Sequence, residues 1–245
     1  MRLFFLFTLL SLITTATLAF KPHIANYQLS INGLKIAEEV RTLHQLEDGY
    51  FYTANAKTSG LAAMIKDYSI SASSTFKLNN KGVDSTAYQI MEQEDKKITK
   101  SYAIDINSQF GSVTSLLTKT QPKISTWKAN EGNITDPLSV FLAISFDLKN
   151  NPNQSLFSYQ IADGSSIETQ EFKKSDKHTV NIQGKSYSAT KVERINHQDS
   201  NIQAYFLSEY QYLPILIKQT KGGRKFLYEI TNFKISDVKG LQVTL

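Results

Sequence analysis

Cysteine is absent from the 245 residues. Its absence excludes a disulfide framework, a thiol nucleophile and the acylated cysteine of a lipoprotein. Long apolar runs are nearly absent as well. Leu3 to Ile13 is apolar apart from Thr8 and Ser11. No later segment reaches the roughly 20 residues that a membrane-spanning helix needs. Charge of one sign is scarce: the net charge is +5 at pH 7, with no concentrated basic stripe. Nucleic acid is therefore not an expected partner. Weak attraction to anionic lipid fits that balance, as does an ordinary basic surface. The histidines His23, His44, His178 and His197 are far apart and form no His-Glu-x-x-His or His-x-His pattern. His197-Gln198-Asp199 is the nearest approach to a metal motif and reads as a polar turn. No metal and no cofactor is expected. No Gly-x-Ser-x-Gly elbow or phosphate loop occurs. No catalytic residue stands out, and the chain reads as non-enzymatic. A hydrolase whose triad assembles from distant residues is the alternative. Glu38-Glu39 and the group Glu92, Glu94 and Asp95 read as solvated charges.

Arg2, the apolar run and Thr17-Leu18-Ala19 together have the layout of a secretory signal peptide cleaved after Ala19. The run is too short for an uncleaved anchor. The expectation is a signal peptide over 1–19 and a periplasmic mature chain, 20–245, forming one β-rich domain. Membrane contact would be peripheral.

What is abundant is period-two alternation. Tyr27, Leu29 and Ile31 share one parity. Tyr68, Ile70, Ala72, Ser74, Phe76 and Leu78 alternate with Ser69, Ser71, Ser73, Thr75 and Lys77. Ile98, Tyr102, Ile104 and Ile106 repeat the pattern with Lys100 as the exception, and Ile202, Ala204 and Phe206 repeat it again. Such alternation gives strands one apolar and one wet face, as in antiparallel sheets. Asn32-Gly33, Asp48-Gly49, Lys81-Gly82, Asp163-Gly164, Gln183-Gly184 and Gly222-Gly223 mark reversals. The fold class is mainly β. It is a strongly curved antiparallel sheet, half-barrel or barrel-like, of about ten to twelve strands.

One segment breaks the pattern. Asp136-Pro137 opens an apolar stretch, Leu138 to Lys149, that Asn150, Asn151 and Pro152 stop. Asp136 suits an N-cap and Pro137 the first helical position. One buried apolar helix is expected near 137–149, with a buried strand pair as the other reading. Its polar residues are Ser139, Ser145 and Asp147. A helix apolar on so many sides must be enclosed by more than one sheet face. Gly60 to Lys66 is either a weaker helix or a loop plugging one end of the sheet. The polar stretch Lys119 to Gly132 joins the first hairpin series to the helix.

Several of these residues fall in a familiar order. Ala25-Asn26-Tyr27-Gln28-Leu29 leads through Gly33 to Glu38 and then to Gly49-Tyr50. Asp136-Pro137-Leu138-Ser139 opens the helix, and Tyr212-Leu213-Pro214-Ile215 precedes the Gly222-Gly223 turn. That order resembles the bacterial family catalogued as domain of unknown function 3108, over roughly Ala25 to Phe233. A tryptophan is associated with the strand before the late proline in that family; this chain has Tyr205, Phe206 and Tyr210 there. The resemblance implies an exported β-rich protein and supplies no catalytic residues. The outline is also similar to that of lipoprotein carriers of the LolA/LolB type, an analogy of architecture alone.

The expected function is non-enzymatic binding of a lipid-like or other apolar molecule in the cell envelope. Leu138, Phe141, Leu142, Ile144 and Leu148 of the helix, with Tyr205 and Tyr210, would line the site. The same aromatics equally suit a filled β core. Lys218, Lys221, Arg224 and Lys225 around Gly222-Gly223 would meet anionic headgroups, or else blunt an exposed edge. The rival function is a protein-interaction or scaffold module that binds an envelope protein.

Overall fold

The computed structural model describes residues 20–118, 123–195 and 200–235. The expected signal peptide and His197-Gln198-Asp199 lie outside the described residues. Tight turns set the architecture. Asn32 and Gly33 have φ of 50° and 84°, the left-handed pair that a two-residue hairpin matching strand twist requires. They join β1 (His23–Ile31) to β2 (Leu34–Leu46). The chain continues through β3 (Gly49–Thr58), α1 (Gly60–Ile65), β4 (Tyr68–Asn79), β5 (Gly82–Glu94), β6 (Lys97–Asn107), β7 (Ser112–Thr118) and β8 (Lys123–Lys128). After β9 (Ile134–Thr135) and α2 (Val140–Asn150) come β10 (Leu156–Ala162), β11 (Ile167–Ile182), β12 (Lys185–Ile195), β13 (Ser200–Leu207), β14 (Leu213–Lys221) and β15 (Arg224–Ile235). All six turn pairs named from the sequence mark junctions of consecutive strands, with Gly49 and Gly82 already the first residues of β3 and β5.

The strands form one sheet of 15, ordered β8-β7-β6-β5-β4-β3-β2-β1-β15-β14-β13-β12-β11-β10-β9. Among the described strands only the β9–β10 contact is parallel. The count exceeds the expected ten to twelve because short strands such as β8 and β9 carry too few residues to show alternation. The sheet curves without closing. Side chains stitch the gap between its two ends. Gln160 bonds the Asn130 main chain in both directions, at 2.7 and 3.1 Å. Ile134 N donates to Asp84 Oδ1 at 3.2 Å, and Ser115 Oγ donates to Gly164 O at 3.0 Å. Gly164 permits that approach: a Cβ there would lie 2.5 Å from the Tyr102 ring.

Helix α2 fills the concave side. Leu142, Ala143 and Phe146 pack with Tyr52, Phe76 and Val113 of one half of the sheet. Val140, Ile144 and Leu148 pack with Phe157, Phe172 and Phe206 of the other. That two-sided seat explains why the helix is apolar nearly all round. The helix starts later than expected, because Pro137–Ser139 form a turn ahead of it. Asp136 still caps it: Oδ1 accepts from Leu138 N and Ser139 N, both at 2.9 Å. Ser139 Oγ returns the bond by accepting from Asp136 N at 3.0 Å, a reciprocal capping box.

Three expectations need correction. Glu39 is not solvated. It shares the inward face of β2 with Ala37, Arg41 and Leu43 and pairs with Arg41 in the interior. Ile98 leaves the apolar face of its strand, because a register shift at Glu92/Gln93 turns the start of β6 outward. The Gly60–Lys66 segment contains a helix, and it plugs nothing: α1 buries none of its residues.

Candidate apolar binding site

The helix residues named from the sequence do not surround an open cavity. Leu138, Ile144 and Leu148 are buried between the two halves of the sheet, where side chains fill the space. Phe141 presents its ring to the Arg41 guanidinium, 5.9 Å from the ring centroid. Tyr205 lies in a third cluster, built where Val180, Ile182 and Ala189 of the β11–β12 hairpin pack with Leu207, Leu213 and Ile230. Lys218 stacks on the Tyr205 ring at 5.2 Å, so it belongs to that wall. Lys221, Arg224 and Lys225 are the ones at the hairpin tip.

Leu142 and Tyr210 do reach open space, at the end of the strands where β13 hands over to β14. Tyr210 closes a short 3-10 turn, Ser208–Tyr210, and its ring meets Phe233 at 4.4 Å, edge to face. On one side lies an inner cleft bounded by Phe20, His23, Leu142 and Leu213, with room for about 20 Å³, enough for a single water molecule. On the other lies an outer crevice of about 200 Å³ bounded by Ile182, Tyr187, Leu207, Ile230 and Phe233. Tyr210 lines both. It is the partition between them.

The partition is held by an unusual backbone. Gln211 and Tyr212, neither of them glycine, have φ of 56° and 57°. Two consecutive left-handed residues with side chains store conformational energy. Tyr212 N donates to Leu207 O at 3.0 Å, and the single Ser145 hydroxyl proton of α2 is shared between Tyr212 O and Phe141 O, each 2.8 Å away. Ser145, a polar residue on a mostly apolar helix, thus helps to hold the turn that carries Tyr210.

His23 supplies the polar group of the inner cleft. Its Nδ1 donates to Lys21 O at 3.1 Å, which leaves Nε2 as the acceptor of a neutral ring. That buried Nε2 has no partner among the described residues. Burial lowers the His23 pKa from its ordinary 6.5, opposed by the bond to the Lys21 carbonyl. The folded state therefore resists protonation. His23 contributes its full share of stability above pH 6.5, and that share is lost as the pH falls through the lowered value. Thermal melts at about pH 7.5 and pH 5.5 are expected to drop further for the native chain than for His23→Phe. Equal drops would mean that His23 titrates as it does unfolded.

Two further clefts are larger, one polar and one of mixed lining. One of about 350 Å³ lies at the seam beside Asp147 and Tyr159, whose hydroxyl donates to Asp147 Oδ2 at 2.6 Å. Burial raises the Asp147 pKa, partly offset by that bond and one from Asn151. The other, about 370 Å³, is lined by Thr53, Asn55, Ser71, Ser73, Gln89 and Ser101 together with Ala72, Ile90, Met91, Tyr102, Ala103 and Leu116. A serine–acid cluster also exists: Asp136 Oδ2 accepts from Ser74 at 2.6 Å and Ser85 at 2.7 Å, and Ser85 Oγ is 2.8 Å from Ser139 Oγ. It is wholly buried, and it serves the helix cap. Among the described residues no three His, Asp or Glu side chains gather as a metal ion would require.

Sequence reasoning missed His23, Phe233 and the Gln211-Tyr212 turn. Nothing in Gln-Tyr signals positive φ, which glycine and asparagine usually announce. The Arg41–Glu39 pair did leave a signal. Both share parity with Ala37 and Leu43, so opposite charges two residues apart lay on an apolar face.

No family model and no curated protein matches the chain. The resemblance to the 3108 family thus gains no support from that side, but the fold does have a counterpart. The described architecture is similar to the crystal structure of a β-barrel-like protein of domain of unknown function DUF1849 from Brucella abortus, at 12% identity and a TM-score of 0.60. The match covers 89% of this chain and 99% of that one. At that identity the likeness is one of fold alone, a β-barrel-like sheet.

Proposed function

We propose that the protein is a non-enzymatic binding module of the bacterial envelope, exported by its N-terminal segment, and that it takes a lipid-like apolar molecule at the Tyr210 partition. The observation that carries this reading is one aromatic ring, on a strained turn, dividing two apolar clefts. Swinging that ring aside would join them. The joined space would offer apolar walls for a chain and the free His23 Nε2 for one hydroxyl or other donor. The outer crevice alone is smaller than the ~300 Å³ at which ligand pockets usually begin, so movement of Tyr210 is part of the reading.

Titration with a fluorescent fatty acid tests it. Tyr210→Ala, which removes the partition, is expected to tighten uptake several-fold. Phe233→Arg, which puts a charge into the crevice wall from a half-buried position, is expected to weaken it about tenfold or more with little change in melting temperature. Absence of uptake by both the native chain and Tyr210→Ala would refute the reading.

A further inference from the structure

The opposite end of the strands carries a different surface. Helix α1 projects from the β3–β4 connection with Leu61, Met64 and Ile65 at 80%, 83% and 88% exposure. Leu34 of the β1–β2 hairpin is 72% exposed, and Ile98 of the β5–β6 hairpin 59%. Main-chain bonds join these tips into one rim. Ser59 N donates to Ile36 O at 3.0 Å beside α1, Asp95 N donates to Asp67 O at 2.8 Å, and Asn32 N donates to Lys225 O at 2.9 Å. The last bond brings the basic β14–β15 turn against the β1–β2 turn.

Cations flank the apolar tip. Lys57 and Lys66 are matched by Asp67 and Glu94, at 3.5 and 3.0 Å. Lys35, Lys96, Lys97, Lys221, Arg224 and Lys225 are exposed and have no carboxylate within salt-bridge distance among the described residues. Asp95 and Glu38 are the acids left near them, so the rim is net positive. An apolar projection flanked by basic turns along one rim has the chemistry of a surface that enters an anionic interface: side chains reach below the headgroups while ammonium and guanidinium groups meet phosphate. The shape is convex. A stable protein partner covers about 800 Å² per side, more than one turn of helix presents.

We propose that this rim docks the protein on an anionic lipid surface, with Leu61, Met64 and Ile65 as the inserting residues and the β14–β15 turn as the headgroup contact. The rim lies at the far end from the Tyr210 partition, so docking does not depend on the crevice.

Co-sedimentation with phosphatidylcholine vesicles, with and without phosphatidylglycerol, tests the proposal. The native chain is expected to bind the anionic vesicles and not the neutral ones, and to be released by salt. The combined variant Leu61→Ser, Met64→Ser and Ile65→Ser is expected to bind about tenfold more weakly or worse. So is Lys221→Glu with Arg224→Glu and Lys225→Glu. All six positions are exposed, so melting temperatures should hold and fatty-acid uptake at the crevice should persist. Equal binding to neutral and anionic vesicles, no vesicle binding, or binding unchanged in both variants would overturn the proposal. Crosslinking of the tip to an envelope protein without vesicle binding would overturn it in favour of that partner.

Discussion

Glu39→Ala is expected to destabilise the fold by about 3–5 kcal/mol, the range for breaking a buried ion pair from one side. Arg41 is buried inside the curved sheet, with its guanidinium 4.9 Å from the Tyr27 ring centroid and 5.7 Å from that of Tyr228. Burial lowers its pKa, but the Glu39 carboxylate together with Tyr52 and Tyr27 outweighs that and holds it raised. Arg41 Nη1 already lacks a hydrogen-bond partner among the described residues. Removing the carboxylate would leave a full charge among aromatic rings, and the rings offset only part of that cost. Glu39→Leu combined with Arg41→Met should cost much less than Glu39→Ala, because no unpaired charge is left behind. Urea unfolding of the singles and the double measures this. A single variant as stable as the native chain would show that water reaches the pair.

The second large effect is at Asp136. Its carboxylate accepts two serine hydroxyls and two main-chain N–H groups. Asp136→Ala removes a helix cap, worth about 0.5–2 kcal/mol. It also strands buried donors at about 1–3 kcal/mol each, so a total loss of about 3–5 kcal/mol is expected. Asp136→Asn should lose less, since its amide oxygen can still accept from Leu138 and Ser139. Burial raises the Asp136 pKa against the pull of its donors. A raised folded-state pKa means that ionisation costs the native state. That cost is absent below the ordinary 3.8 and complete above the raised value. Asp136→Asn is therefore expected to fare relatively better at neutral pH than near pH 4 when compared with the native chain. The difference between their unfolding curves across that range checks the sign.

These two sites mark what the sequence allowed a reader to see. The Asp-Pro opening, the stop at Asn150-Asn151-Pro152 and the six turn pairs are local signals, and local chemistry fixes them. Ser139, Ser145 and Asp147 were visible as the polar residues of the helix. Their roles in the cap, the Tyr212 turn and the Tyr159 bond depend on partners up to 67 residues away, which no spacing encodes. Glu39 was misread because charge normally faces water; only Arg41 across the same face makes burial tolerable. The helix was read as lining a site, yet most of it packs as core. Periodicity reports that a face is covered, not whether side chains or a ligand cover it. Tyr210 was named for its aromaticity, and its position between two clefts comes from a backbone that neither Gln211 nor Tyr212 announces.

Native mass spectrometry of the protein, released from its own envelope without detergent, addresses the binding role most directly. The expected result is a polypeptide mass beginning at Phe20, accompanied by an apolar adduct that Phe233→Arg no longer retains. A bare polypeptide in every preparation, or an adduct indifferent to Phe233, would contradict it.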